Sequence, residues 1–366
     1  MIIYYSMVIW VFICNCIQRI YNNFVNIDSY TKTKPNKVLV FLTVIYMLVL
    51  IGLRSGVGDT NAYINIFENL PNRLTIDVFN SFEKDIGFFT LSVLFKQFVT
   101  QDYHLWLLTI SLISGFLITK TIYRYSSNFY YSIFLFIVSL NMVWMLNGMR
   151  QFLALSIIFG NINYLLNNKN IKFFIIVLIA ATIHITALFA LLAFALIKTK
   201  PFSLKMIAII VIILFIGINL DRIASIFSIV LEDSAYEGYL DVAANSAGSN
   251  ILRTFVGLAP IVLAFFGRKT FYKNKFVSFL VSMSIVSALL YFISSLTGGI
   301  LIGRIPVYFD MFNIILIPWL IENMFERKSS IIMYIVVAIC YLTFFHMKAT
   351  YGMNLNYVSD VLNLYY

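Results

Sequence analysis

The chain has 366 residues, of which 61% are hydrophobic and only 11% charged, and its mean hydropathy is +0.89. Apolar runs extend from end to end and no hydrophilic stretch is long enough to bury its own core, which excludes a soluble domain and leaves one integral membrane domain over 1–366. A net charge of +10 would suit nucleic acid only on a soluble basic face, which this composition excludes, so the excess cations report membrane topology instead.

The first apolar run, 2–17, has no basic region before it and no small-residue cleavage site after it, so a retained helix is expected. A second crossing is expected at 38–53, followed by a net acidic outer segment at 54–103 in which 86–100 reads as an interfacial or re-entrant helix. Crossings follow at 104–119, 129–146 and 150–166. The run Ile171–Ile197 is long for one span of a roughly 30 Å core and short for two, at about 1.5 Å per residue. A single crossing would place Lys198, Lys200 and Lys205 opposite Lys169 and Lys172, against the positive-inside rule. Two half-helices broken at His184 keep both clusters cytoplasmic, and that arrangement is expected. Further crossings are expected at 204–220, 253–267, 276–295, 305–321 and 329–346, with a second acidic outer segment at 221–252. The cytoplasmic segments then hold 17 of the 26 Lys and Arg but only 3 of the 16 Asp and Glu. The expected fold is all-α and polytopic, with about 12 helical passes when the half-helices are counted and both termini extracytoplasmic. Cys14, Cys16 and Cys340 lie inside apolar runs and offer neither a disulfide framework nor metal-ligand spacing, so no metal site is expected.

With this topology a set of arginines gathers at outer helix ends. Arg54 follows a helix C-terminus, where a cation suits the dipole and can snorkel, so an anchoring role and a functional one both stand. Arg150, Arg253 and Arg304 instead open helices that run inward, which is unfavourable by a few tenths to about 1 kcal/mol each unless something negative lies nearby. A bound anion would supply that charge; an ion pair with an outer-loop acid is the alternative. Asp59 is placed to cap the next turn or to take part in chemistry. Glu83 and Asp85 precede the interfacial helix, and His184 is the one histidine inside an apolar run, a setting that often marks function. Tyr63, Tyr236, Tyr239 and Tyr308 are candidate platforms for sugar rings.

The order Arg54-x-x-x-Gly58-Asp59-Thr60-x-x-Tyr63, Asp85-x-Gly87-Phe88, Arg150-Gln151-x-x-Ala154, His184-x-Thr186-Ala187-Leu188 and Gly303-Arg304 with Tyr308-Phe309 resembles the EpsG-like family of bacterial exopolysaccharide and capsule polymerases, relatives of the Wzy type. The resemblance covers 50 to about 320. It implies a GT-C-like transmembrane glycosyltransferase in the bacterial cytoplasmic membrane. Such an enzyme joins oligosaccharide repeat units carried on undecaprenyl diphosphate at the outer face, without nucleotide sugar, metal or other cofactor. A chain-length regulator and other polysaccharide assembly proteins are the implied partners. Asp85 stands where a glutamate is common in the family, two residues before Gly-Phe, and Glu83 is the alternative occupant of that role. In this reading Arg54, Arg150, Arg253 and Arg304 bind the diphosphate, Tyr63 and Tyr308 contact sugar, and His184 is the base, with Asp59 or Glu83 as alternates. Two rivals share part of this signature. A lipid-linked oligosaccharide flippase also needs a cationic cavity, but with inverted repeats and deep charges. A membrane O-acyltransferase would use a histidine and arginines, but with a donor that needs cytoplasmic access.

Overall fold

The computed structural model describes residues 1–24, 34–219, 249–297, 303–351, 353 and 355–365. Of the expected outer segment 221–252 only its last four residues are described, and Tyr236 and Tyr239 lie outside the described residues. Apart from one hairpin of two-residue strands, Val358–Ser359 with Leu364–Tyr365, the described chain is helical. In chain order its first elements are α1 (Ile2–Phe24), α2 (Lys37–Gly52), α3 (Thr60–Asn69), α4 (Ile76–Asn80), α5 (Ile86–Phe98), α6 (Tyr103–Tyr125), α7 (Phe129–Val138), α8 (Asn141–Asn147), α9 (Met149–Gly160), α10 (Asn163–Leu166) and α11 (Asn170–Ile183).

Among the described residues, four helices are long and apolar enough to cross a bilayer: α1, α6, Lys275–Thr297 and Arg327–Tyr351. A fifth span is formed if α7 and α8 count as one, bent by 53°. Shorter apolar helices, among them α2, α5, α11, Leu204–Ile218 and Ile251–Phe266, accompany them, so the protein is a polytopic membrane protein. The bend between α7 and α8 falls at Leu140, which takes a left-handed φ of 70° and is fully buried. That conformation costs a non-glycine residue about 1–2 kcal/mol, a cost offset by burying the side chain. The expected crossing at 129–146 is therefore two helices at an angle. Likewise α11 stops at Ile183, and His184 separates it from a 3-10 segment, Ile185–Leu192. At about 1.5 Å per residue neither α5 nor α11 reaches across a roughly 30 Å core alone.

The chain forms two compact units: 1–164 with 171–187 and 325–366, and 165–170 with 188–324. In the first unit α2 packs on α6 at Gly115, where an added Cβ would fall 2.3 Å from a Leu48 methyl, so only a glycine lets the helices approach this closely. Small residues take that role in membranes because apolar burial does not drive helices together in lipid. Interhelical hydrogen bonds add to it: Trp10 Nε1 to the Leu42 carbonyl (3.0 Å), Tyr46 to Ser6 Oγ (2.9 Å), Thr121 to the Phe159 carbonyl (3.0 Å) and Tyr131 to the Tyr334 carbonyl (3.1 Å). In the second unit the helices Ile251–Phe266 and Lys275–Thr297 pack together over their length, and Ser294 donates to Ser249 (2.9 Å) at one end.

The tail after Arg327–Tyr351 returns to the loop behind α2, where Gly56 and Val358 form an antiparallel bridge. Loop and tail therefore share one side of the membrane. Single cysteines at the exposed positions Asn61 and Asp360 should both react with an impermeant reagent from that side, whereas one at exposed Asn168, beside Lys169 and Lys172, should react from the other. Labelling of Asn61 and Asp360 from opposite sides would break the pairing of tail and loop.

Candidate active site

The first unit gathers its polar side chains where α2, α3, α5, α9 and α11 begin or end. At the end of α2, Arg54 is fully buried. Its Nη1 donates to the Ile51 carbonyl (2.6 Å), Nε to Thr60 Oγ1 (2.9 Å) and Nη2 to Met149 Sδ (3.8 Å). Burial lowers its pKa to about 10, so the guanidinium stays charged at neutral pH. The cation at a helix C-terminus is present, but it faces the protein interior and is closed to solvent.

The acids separate clearly. Asp59 occupies the position before α3 but makes no side-chain cap, and it is exposed. The Thr60 hydroxyl does the local work instead, accepting from Arg54 and donating to the Val57 carbonyl (2.7 Å). Glu83 is exposed as well. Asp85 is different. It precedes α5 with a left-handed φ of 51°, a conformation aspartate tolerates better than most residues, and its carboxylate makes no cap hydrogen bond. That carboxylate is 6% exposed and accepts from Arg150 Nη1 at 2.7 Å. Its two oxygens lie 3.3 and 3.4 Å from His184 Nδ1.

Three helix ends bring this cluster together. Arg150 stands in the first turn of α9 and His184 directly follows α11. A Cβ at Gly87 would lie 2.2 Å from Thr182 Oγ1 and 3.0 Å from a backbone carbon of that residue, so α5 can start beside the end of α11 only with glycine there. The Arg150 guanidinium lies 6.0 Å from the Tyr63 ring centre and 5.7 Å from that of Phe89, within cation–π range. Tyr63 itself is buried against this group. An ionised carboxylate accepts and never donates, so a neutral His184 bonded to Asp85 carries its one proton on Nδ1 and its lone pair on Nε2.

Lys96, unnoticed in the sequence reading, secures the frame. Its Nζ is buried and donates to the carbonyls of Phe67 (3.0 Å), Glu68 (2.8 Å) and Leu70 (2.7 Å), capping α3 from α5. The available signal was its standing as the only charged residue in Ile86–Phe98, because an ionisable group in an apolar run must find a partner.

In the second unit, Arg253 lies in the first turn of Ile251–Phe266 with its guanidinium 5.4 Å from the Tyr291 ring centre. Arg304 precedes the short helix Val307–Asp310, whose Tyr308 is buried, and Asn313 donates to Asp310 (2.8 Å). Among the described residues no group of three or more His, Cys, Asp or Glu is placed to hold a metal ion.

The fold and this cluster define a polytopic membrane protein with a part-buried Arg–Asp–His constellation at its helix ends. The sequence matches the EpsG family over residues 37–359, and the chain belongs to that family, whose members are membrane proteins of exopolysaccharide biosynthesis. No curated protein and no solved structure matches the chain.

Replacing Lys96 by Met keeps its volume but removes the donor shared by three carbonyls at the end of α3, of which Phe67 O keeps the Leu70 amide (3.2 Å) while the part-buried Glu68 and Leu70 carbonyls lose their side-chain donor. An acceptor left unsatisfied away from water costs about 1–3 kcal/mol, so thermal unfolding in detergent should shift downward. An unchanged midpoint would mean that water replaces the ammonium at no cost.

Proposed function

We propose that the protein is a transmembrane glycosyltransferase that polymerises undecaprenyl-diphosphate-linked oligosaccharide repeat units at the outer face of the cytoplasmic membrane. The observation that carries this reading is Asp85 held between Arg150 and His184. In the proposed step an acceptor sugar hydroxyl passes its proton to His184 Nε2 while its oxygen attacks the anomeric carbon of the donor. A glycosidic bond forms, the bond from that carbon to the phosphate oxygen breaks, and undecaprenyl diphosphate departs with the electron pair. Asp85 fixes the tautomer and stabilises the imidazolium that results, the role a carboxylate plays behind a catalytic histidine. Asp59 and Glu83, both exposed, fit this step less well.

Arg253 and Arg304, both in the second unit, keep the diphosphate-binding role that the family resemblance implies. Arg150 contributes less than its charge alone implies, because Asp85 already neutralises it. Arg54 has no open side and is assigned to holding the loop behind α2. Tyr308 and Tyr63, both buried, contact sugar only at an edge, and Tyr63 is assigned chiefly to Arg150. The reading includes a GT-C-like arrangement of about 12 passes with both termini outside, no cofactor, and partners among chain-length regulators and other assembly proteins.

Purified protein incubated with lipid-linked repeat units should give a ladder of products; unchanged length with altered sidedness would identify a flippase instead. His184→Gln should slow chain extension by ~10²- to 10⁴-fold, the range for a lost general base. Asp85→Asn should do the same, because its amide can donate to Nδ1 and move the proton to Nε2, while Asn tolerates the left-handed backbone as Asp does. Both variants should reach the membrane at near-normal levels. Extension by either at more than about a tenth of the wild-type rate, outside the range for a lost base, would remove His184 from the chemistry.

For Arg304, exchange to Lys keeps the charge but loses the fork that matches two phosphate oxygens. Polymer formation should fall strongly with membrane levels unchanged. Full activity of Arg304→Lys would reduce Arg304 to an interfacial anchor.

A further inference from the structure

The C-terminal tail is bonded to the loop behind α2 along its whole contact. Tyr357 is buried and its hydroxyl donates to the Leu50 carbonyl (2.6 Å); burial raises this phenol to about 12, so it remains a donor at neutral pH. The Ser359 hydroxyl donates to the Leu53 carbonyl and accepts from the Leu362 amide (3.2 Å). Between them Ser55 N and Gly56 N donate to the Val358 carbonyl (2.7 and 3.2 Å), Val358 N donates to the Gly56 carbonyl (2.9 Å), and Asp360 N donates to Ser55 Oγ (2.9 Å). The loop so held contains Arg54. Two of the three Arg54 hydrogen bonds lead to the neighbours of Arg150: one to Thr60, the first residue of the helix whose Tyr63 ring lies against the Arg150 guanidinium, and one to Met149, the preceding residue.

We infer that the C-terminal tail is a positioning element of the Arg150–Asp85–His184 site, with Tyr357, Val358 and Ser359 acting through Arg54. The tail touches none of the three groups; it fixes the loop, the loop fixes Arg54, and Arg54 fixes α3 and Met149 around Arg150. Its catalytic consequence rests on the polymerase reading above, while its structural consequence does not.

The double variant Tyr357→Phe with Ser359→Ala removes both hydroxyl donors and leaves the backbone pairing and the site residues in place. Misplacing reacting groups by about 1 Å costs up to ~10²-fold in rate, so kcat for chain extension should fall by about 10- to 100-fold, with KM and membrane level changed much less. A covalent tether separates positioning from loss of a fold anchor. A Cβ at Gly56 would lie 3.4 Å from Val358 Cβ, close to the roughly 3.5–4.5 Å that a disulfide needs. In a chain with Cys14, Cys16 and Cys340 changed to Ser, the pair Gly56→Cys and Val358→Cys should bridge and restore most of the rate to the double variant, and reductant should remove that rescue. A rate within about twofold of wild type in the double variant, or a loss that the bridge does not restore, overturns the inference. Hydrogen exchange in detergent gives a readout independent of activity. Amides of 60–67 and 149–156 should exchange faster in the double variant and recover with the bridge; a change confined to 53–57 overturns the inference. If the wild type makes no polymer, the polymerase reading fails and the exchange experiment still decides the role of the tail.

Discussion

The carboxylate of Asp85 answers two groups at once, the Arg150 guanidinium at 2.7 Å and the His184 imidazole at 3.3 Å. A carboxylate only 6% exposed is costly unless it is paired and hydrogen-bonded. Both partners must therefore arrive, and with them the ends of three helices. The start of α5, the first turn of α9 and the break after α11 are brought to one place, with Gly87 permitting the approach and the left-handed Asp85 aiming the side chain. Leaving the α5 cap unmade keeps both carboxylate oxygens available for Arg150 and His184.

Around this centre, the buried cations Arg54 and Lys96 are satisfied by neutral acceptors and not by acids. Arg54 donates to a last-turn carbonyl of α2, and Lys96 donates to three carbonyls at the end of α3. Helix C-termini carry unpaired carbonyls and partial negative charge, and away from water a side-chain donor is the means of satisfying them. This also explains why Arg54 is closed off: its hydrogen bonds are spent on Ile51, Thr60 and Met149, and the returning tail seals the loop that carries it.

Much of this organisation was legible in the residues. Apolar runs marked the helices, and the lysines on either side of Ile171–Ile197 pointed to a break at His184, where α11 ends. Arg54 at a helix C-terminus and Arg150 and Arg253 at helix starts also stand where the sequence put them. The choice between Glu83 and Asp85 was not legible, because the two acids lie two residues apart in an irregular connection. Only the backbone turn at Asp85 directs one carboxylate inward and leaves the other in solvent. Asp59 carried the signature of an N-cap, yet the neighbouring Thr60 hydroxyl took over the local bonding once Arg54 was buried beside it.

Periodicity, charge balance and short motifs are properties of neighbours in the chain, so the sequence by itself determined the membrane setting, the apolar runs that become helices and the family. The pairing of Asp85 with partners 65 and 99 residues away, and of Leu50 with Tyr357 across 307, has no local signature. Those contacts were decided only by the tertiary structure, because a buried charge or carbonyl must be satisfied by whichever group the packing of distant helices brings within hydrogen-bond reach.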